Sequence, residues 1–264
     1  MTSHPSALLI EAPVGRHFAQ IHRDPALRAD SVALFIEAGL RRGRSVVAIV
    51  AKANVDEYLD RIRARGLDPV SYRRSGAFEL LQAETMLEHV MHDGKPDWTA
   101  FSNLVGGLIA RARARNHGGT CAYGEMVGML WEQEQYEAAS RLEQYWNDLA
   151  RTHPFSLFCT YRLDFRDPGG YCGPLHEIGH CHTDIVATNE DERFREALDA
   201  ASREVFGVPL AELISLSHAA DRPGEERLPA GQRTMLWIMR NLPWSSARVF
   251  ALARRRLERR PALA

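Results

Sequence analysis

The sequence predicts an α/β protein built on a mostly parallel sheet with helices on both faces, followed by an all-helical C-terminal appendage. Three observations carry this expectation. Short apolar runs such as Ser45–Val50 alternate with segments of helical periodicity, the order that sandwiches a parallel sheet between helices. Those runs are apolar at successive positions, as strands covered on both faces must be. Beyond about residue 190 the strand signal stops and only helical spacing continues.

Each element has its own signal. His17 to Ile21 reads as the first strand, after which Asp24 is placed to cap a helix with Pro25 at its first position. Leu27, Ser31, Leu34, Phe35 and Ala38 keep helical spacing toward Gly39. Ser45–Val50 is the second strand. Asn54 is the expected cap of the next helix, whose Val55, Tyr58, Leu59 and Ile62 share one face before Gly66. "GAFELLQAE" supplies a third strand, and Asp97 caps a helix with an apolar stripe of Trp98, Phe101, Leu104, Val105, Leu108 and Ile109. Thr120–Tyr123 and Phe155–Tyr161 are further strands. In the appendage Phe194, Leu198, Ala201 and Val205 mark one helix and Leu210, Leu213 and Ile214 a second. The polar loop "DRPGEERLPAGQ" then precedes two helices around Pro243, with Ser245 as a cap.

Composition excludes several classes. With 264 residues, 45% hydrophobic and 25% charged, the chain matches an ordinary globular protein and neither a disordered nor a fibrous one. A net charge of −1 gives no overall field for nucleic acid or an anionic membrane. No apolar stretch approaches the roughly 20 residues of a bilayer span, and Met1 to Glu11 lacks the pattern of a signal peptide, so a cytoplasmic location is expected. Cys121, Cys159, Cys172 and Cys181 are too sparse for a disulfide scaffold. Cys121 and Cys159 lie in apolar strands, where inert buried thiols are expected.

Chemistry is concentrated in three places. Between the first strand and its helix, where a nucleotide-binding α/β protein carries its phosphate loop, the sequence reads "QIHRDPALRADS". It lacks GxxxxGK[ST], and Asp24 would repel phosphate. His22 and Arg23 either meet an anion at the helix N-terminus or simply border a tight turn. In "CAYGEMVGMLWEQEQYEAASRLEQYWNDL", Gly124 permits an unusual backbone at a strand end, and Glu125 follows near a helix start. Glu143 and Asn147 bracket Trp146 at one-turn spacing. Either they line a small-molecule pocket with aromatic walls, or they form an exposed pair. Nothing in the spacing makes Glu125 and Glu143 an acid/base pair. Third, "YCGPLHEIGHCHTDI" crowds Cys172, His176, His180, Cys181 and His182 together. Imidazole and thiolate suit zinc, but Pro174 and Gly179 interrupt a helix and the order fits no established metal-site spacing. His182 is therefore assigned to orienting a ligand or closing a pocket. No nucleotide or metal cofactor is assigned.

The pieces "HFAQIHRD", "LFIEAGLRRGRSVVAIVAKANVDEYLDRIRARGLD", the Cys121–Leu149 segment, "FSLFCTYRL" and "EIGHCHTDIV", spanning roughly Arg16 to Val186, resemble the MEDS domain, a sensory module of methanogens, methylotrophs and the dichloromethane-responsive regulator DcmR. The resemblance implies a relative of the KaiC and RecA fold whose phosphate-binding loop has decayed, binding small molecules that include hydrocarbon derivatives. It points to His17, Gln20, Gly124, Glu125, Trp131, Glu143, Trp146, Asn147 and His182, with His22 and Arg23 added by the residue reading above. It divides the chain into an extension (residues 1–15), a sensory domain (16–188) and a helical appendage (189–264). "AQIHRD" departs from the more aromatic form of that family, with Ile21 and His22 at the aromatic positions.

The resulting expectation is a non-enzymatic signalling protein that binds a small molecule and signals through a partner such as a histidine kinase or regulator. No kinase segment is recognisable, and a homo-oligomer is compatible. Two alternatives differ in class. One is a nucleotide-driven ATPase or switch using Arg23 and Glu125. The other is a transcriptional regulator reading DNA through its arginine-rich last helices, although nucleic acid is not the expected partner.

Overall fold

The computed structural model describes residues 5–115, 118–162, 175–216 and 222–258. They fall into two compact units, one within Met1–Arg162 and Cys181–Val186, the other within Leu163–His180 and Ala187–Ala264.

The first unit is the parallel α/β body. Strands β1 (His17–His22), β2 (Ser45–Val50), β3 (Phe78–Gln82), β6 (Thr120–Gly124), β7 (Ser156–Arg162) and β8 (Asp184–Ile185) make a six-stranded sheet in the order β3-β2-β6-β7-β1-β8. Every pairing in it is parallel. Between β3 and β6, β4 (Met91–His92) and β5 (Lys95–Pro96) form a small antiparallel ribbon, too short for any periodic signal to mark. Two-residue β8 escapes sequence reading for the same reason.

Parallel register gives the sheet two distinct faces, since side chains alternate along each strand and aligned neighbours share a side. Phe18 aligns with Phe158, and both pack with Phe35 of the Pro25–Arg41 helix at ring separations of 5.4 to 5.7 Å. The Val55–Ala64 helix joins that face through Tyr58 and Ile62. On the opposite face, Ala19 aligns with Cys159. There Trp146, from the Tyr136–Thr152 helix, reaches Gly124 and packs edge-on against Phe101 and Phe155.

Local signals place most helix ends. The Asp24 carboxylate accepts from the Ala26 N–H at 2.9 Å, and Asp97 does the same for Ala100 at 2.7 Å. Gly66, at φ +77, follows the helix that it was expected to end. Asn54 is a correction: it makes no capping bond, because its side-chain amide is drawn to Glu125 instead. Gly39 is another, since the helix runs on to Arg41 and the glycine lets its backbone approach Val46 and Cys121. The stripe after Asp97 buries Phe101, Val105, Leu108 and Ile109, but it passes through a π-turn at Ser102–Gly106 and leaves Trp98 38% exposed.

The second unit is helical throughout its described residues. Its Asn189–Phe206 helix begins with a reciprocal Thr188–Asp191 capping box and ends at Gly207 in the left-handed region. Buried Asp191 accepts from Gln232 Nε2 at 2.7 Å, tying this helix to Ala230–Asn241. Gly179 meets the Gly224 carbonyl so closely that a Cβ would lie 2.0 Å from it. Pro243 opens the last helix, so Ser245 lies inside that helix and is not its cap.

Candidate functional site

At the carboxyl ends of β1, β2, β6 and β7 lies a cleft of about 450 Å³, where open parallel sheets place their ligands. Its lining includes His22, Arg28, Asn54, Glu125, Thr160 and Arg162, together with the apolar Pro25, Ala51, Ala53 and Met129. Gly128 also borders it, packed so tightly that a Cβ would lie 2.6 Å from the Thr160 carbonyl oxygen.

Glu125 is the hub of this cleft and only 4% exposed. Its carboxylate accepts from the Ala51 N–H at 2.6 Å, from Asn54 Nδ2 at 3.0 and 3.1 Å, from the Tyr123 hydroxyl at 2.8 Å and from the Tyr58 hydroxyl. Arg28 stands 3.9 Å away, donates to Asn54 Oδ1 at 2.8 Å and lies over the Tyr58 ring. Burial and the adjacent carboxylate push the Tyr58 and Tyr123 phenols far up, so both stay protonated donors. Burial pulls His22 down to about 3, helped by the charges of Arg28 and Arg162, which leaves its imidazole neutral.

A second polar cluster occupies the opposite face of the sheet. His17 of β1, Cys159 of β7, Glu143 of the Tyr136–Thr152 helix and His182 before β8 are all buried, with one ligating atom from each lying within 4.8 Å of the others. His17 Nε2 is 3.4 Å from Cys159 Sγ and 3.3 Å from Glu143 Oε2, and His182 Nε2 is 3.4 Å from Glu143 Oε1. The Tyr161 hydroxyl donates to Glu143. Burial alone would push the Glu143 carboxyl up, but His182 and His17 facing it outweigh that and bring it to about 2.

Asn147 fixes how His17 is presented. Its Nδ2 donates to the Cys181 carbonyl at 2.9 Å, which leaves Oδ1 to accept from His17 Nδ1 at 2.9 Å. A neutral His17 therefore turns the lone pair of Nε2 toward Cys159 and Glu143. Burial, then the neighbouring His182, pulls His17 down to about 4, favouring that neutral form.

The residues predicted from sequence thus separate. His22 and Glu125 line the cleft, while half-buried Arg23 is not among its lining residues. His17, Glu143, Asn147 and His182 converge on the opposite face, so the Glu143–Asn147 pair is not an exposed one. Trp131 and Trp146 are core: Trp131 packs against Tyr136 and Tyr161, and Trp146 is fully buried. Gly124 is not in the left-handed region, so no unusual backbone is needed there. Gln20 is buried within β1. Cys172 lies outside the described residues. Among those described, His176, half-buried, pairs with Glu177 and His180 is exposed, and neither joins a metal-competent group with Cys181.

Sequence reasoning passed over Arg28, Tyr58, Tyr123 and Thr160. Arg28 had a signal: it follows Asp24 by one helical turn, in the very segment that lacks a loop lysine.

A family model described as MEDS, the MEthanogen/methylotroph, DcmR Sensory domain, matches residues 16–169, more than half of the chain. None of the curated proteins compared matches it.

Proposed function

This chain belongs to the MEDS family of sensory domains, and from that premise we propose that it is a non-enzymatic signalling protein whose cleft binds a small molecule. The observation that carries the reading is Glu125, fixed by donors from four directions at the floor of a cleft of about 450 Å³. A site so pre-organised recognises a ligand without having to reorder itself. Arg28, Arg162 and neutral His22 offer polar contacts, and Met129 with Pro25 an apolar wall. This mixture suits a small hydrocarbon derivative carrying an oxygen or an anionic group.

A decayed KaiC- or RecA-like phosphate loop fits the same edge. The turn after β1 has neither glycine nor lysine, and the Ala26 N–H, which a phosphate loop would turn to its ligand, bonds to the Asp24 carboxylate. Bound ligand alters signalling only if it favours one of two conformations, and a partner protein then reads the difference.

Calorimetric titration with small oxygenated and halogenated hydrocarbons tests the reading, using wild type beside Ala53→Trp, which fills the cleft from an exposed lining position. Binding by wild type and its loss in the variant support it. No binding across the panel, or binding indifferent to the tryptophan, overturns it. ATP turnover abolished by Glu125→Gln would establish the nucleotide-driven alternative instead.

A further inference from the structure

We propose that His17, Glu143, Cys159 and His182 form a closed, buried site for one tetrahedral divalent metal ion, zinc by the chemistry of its donors. The inference does not rest on the sensory reading, because none of the four residues lines any part of the cleft.

Donor type and distance agree. Two imidazoles, a carboxylate and a thiolate are the ligands that zinc takes from proteins, and four protein ligands are the mark of a structural site. Zinc–nitrogen bonds of about 2.0–2.1 Å place tetrahedral donors about 3.3–3.4 Å apart, and a zinc–sulfur bond of about 2.3 Å widens that edge to about 3.6 Å. The contacts His17 Nε2 to Glu143 Oε2 at 3.3 Å and His17 Nε2 to Cys159 Sγ at 3.4 Å have that scale, and His182 Nε2 lies 3.4 Å from the other carboxylate oxygen, Oε1. All four ligating atoms fit within 4.8 Å, so modest closure completes the tetrahedron.

Charge gives a second argument. Glu143 is 2% exposed, and among the described residues no lysine or arginine lies within ion-pairing distance of it. A buried carboxylate without a cation is costly. Its neighbours are two histidines whose ring centroids lie 4.1 Å apart, so protonating both would set two like charges side by side. One divalent ion with Glu143 carboxylate, Cys159 thiolate and two neutral imidazoles sums to zero, which an apolar interior tolerates.

The outer contacts match as well. A metal-bound histidine typically gives its other ring N–H to a fixed acceptor, which sets tautomer and orientation. Asn147 does this for His17, and Tyr161 holds Glu143 Oε1, leaving Oε2 to the ion. Because the ligands come from two strands, a helix and a distant segment, the ion would bind as the tertiary structure closes.

The test uses the full chain, stripped with chelator and loaded with zinc alone or cobalt(II) alone. We expect about one ion per chain by elemental analysis, a rise in melting temperature on loading, and for cobalt a tetrahedral visible spectrum with a thiolate charge-transfer band. Cys159→Ser should lose that band and bind zinc at least about tenfold more weakly. Asn147→Leu, a change at a positioning residue, should weaken zinc about 10- to 100-fold while retaining the thiolate band. Should a variant fail to fold, the wild-type cobalt spectrum decides alone. Folded wild type that binds neither ion, a cobalt spectrum without thiolate, or undiminished zinc in Cys159→Ser each overturns the proposal, the last by placing the metal elsewhere in the chain.

Discussion

Glu125 and Glu143 come from one stretch of sequence, both are buried, and both accept a tyrosine hydroxyl, yet the sheet gives them opposite surroundings. Glu125 closes the end of β6, where neutral donors saturate it and Arg28 stands by beside an open cleft. Glu143 projects from a helix onto the other face, where histidines and a cysteine meet it in a closed interior. A carboxylate ringed by donors is fixed in place before any ligand arrives. One ringed by groups that need a proton or a metal between them is unfinished, and this separates the recognition proposed at the cleft from the ion binding proposed behind it.

The strongest way to break the comparison is to remove each carboxylate. Glu125→Ala strands the Tyr58 and Asn54 donors and the Ala51 N–H together and leaves the Tyr123 hydroxyl only Thr160 Oγ1 and Tyr58 as partners, with an expected loss of about 3–5 kcal/mol of stability in urea unfolding. That loss should be the same with and without chelator. Glu143→Ala should be costly too, but its cost should grow when wild type is zinc-loaded. A chelator-dependent penalty at Glu125, or a chelator-blind one at Glu143, removes the distinction.

Acid sharpens the contrast from the cleft side. His22 has its pKa lowered from the ordinary 6.5 to about 3 by burial, with Arg28 and Arg162 adding to the shift, while Glu125 and Glu132 also face the cleft. The unfolded chain therefore binds a proton here that the folded chain refuses. The stabilisation is fully present above pH 6.5 and is lost as pH falls toward about 3. The sum should approach about 4–5 kcal/mol, read as the difference between wild type and His22→Phe in unfolding free energy across that window. Parallel curves would show that His22 is not held neutral.

Single hydroxyl deletions should be smaller. Tyr161→Phe removes a donor from Glu143 and Tyr123→Phe one from Glu125, each costing about 1–1.5 kcal/mol in apo protein. Only Tyr161→Phe should also change zinc affinity. Equal effects on zinc from both would mean that the two networks are coupled through the sheet.

How much of this was readable follows from the range of each interaction. Ser45–Val50 and Thr120–Gly124 declare themselves because a strand buried on both faces is largely apolar at successive positions, as Val46–Val50 and Cys121–Tyr123 are. Asp24 and Asp97 cap helices through bonds to residues two and three positions on, so sequence suffices. Asn54 and Ser245 misled the same logic: a tertiary carboxylate claimed the first, and Pro243 set the helix start ahead of the second. The residues His17, Glu143 and His182 could be named beforehand but not assembled. Cys159 read only as an inert buried thiol, since its meeting with His17 depends on a register that places it beside Ala19, on the face that carries His17.

Asp24 is where the two readings of the cleft part at the smallest energy. Its carboxylate bonds to the Ala26 N–H, so Asp24→Ala should cost about 1 kcal/mol, whereas asparagine or serine, which cap as well, should cost only a few tenths. If capping is its whole function, affinity for a ligand at Arg28 and Glu125 is the same in all three variants as in wild type, and none of them gains affinity for ATP. Asp24→Ala also removes the charge that opposes phosphate and frees the Ala26 amide. ATP binding gained by that variant would show that the turn keeps a working cradle blocked by one carboxylate, making the cleft a masked nucleotide site. A loss of stability with no nucleotide bound would mean that Asp24 caps the helix and masks no nucleotide site.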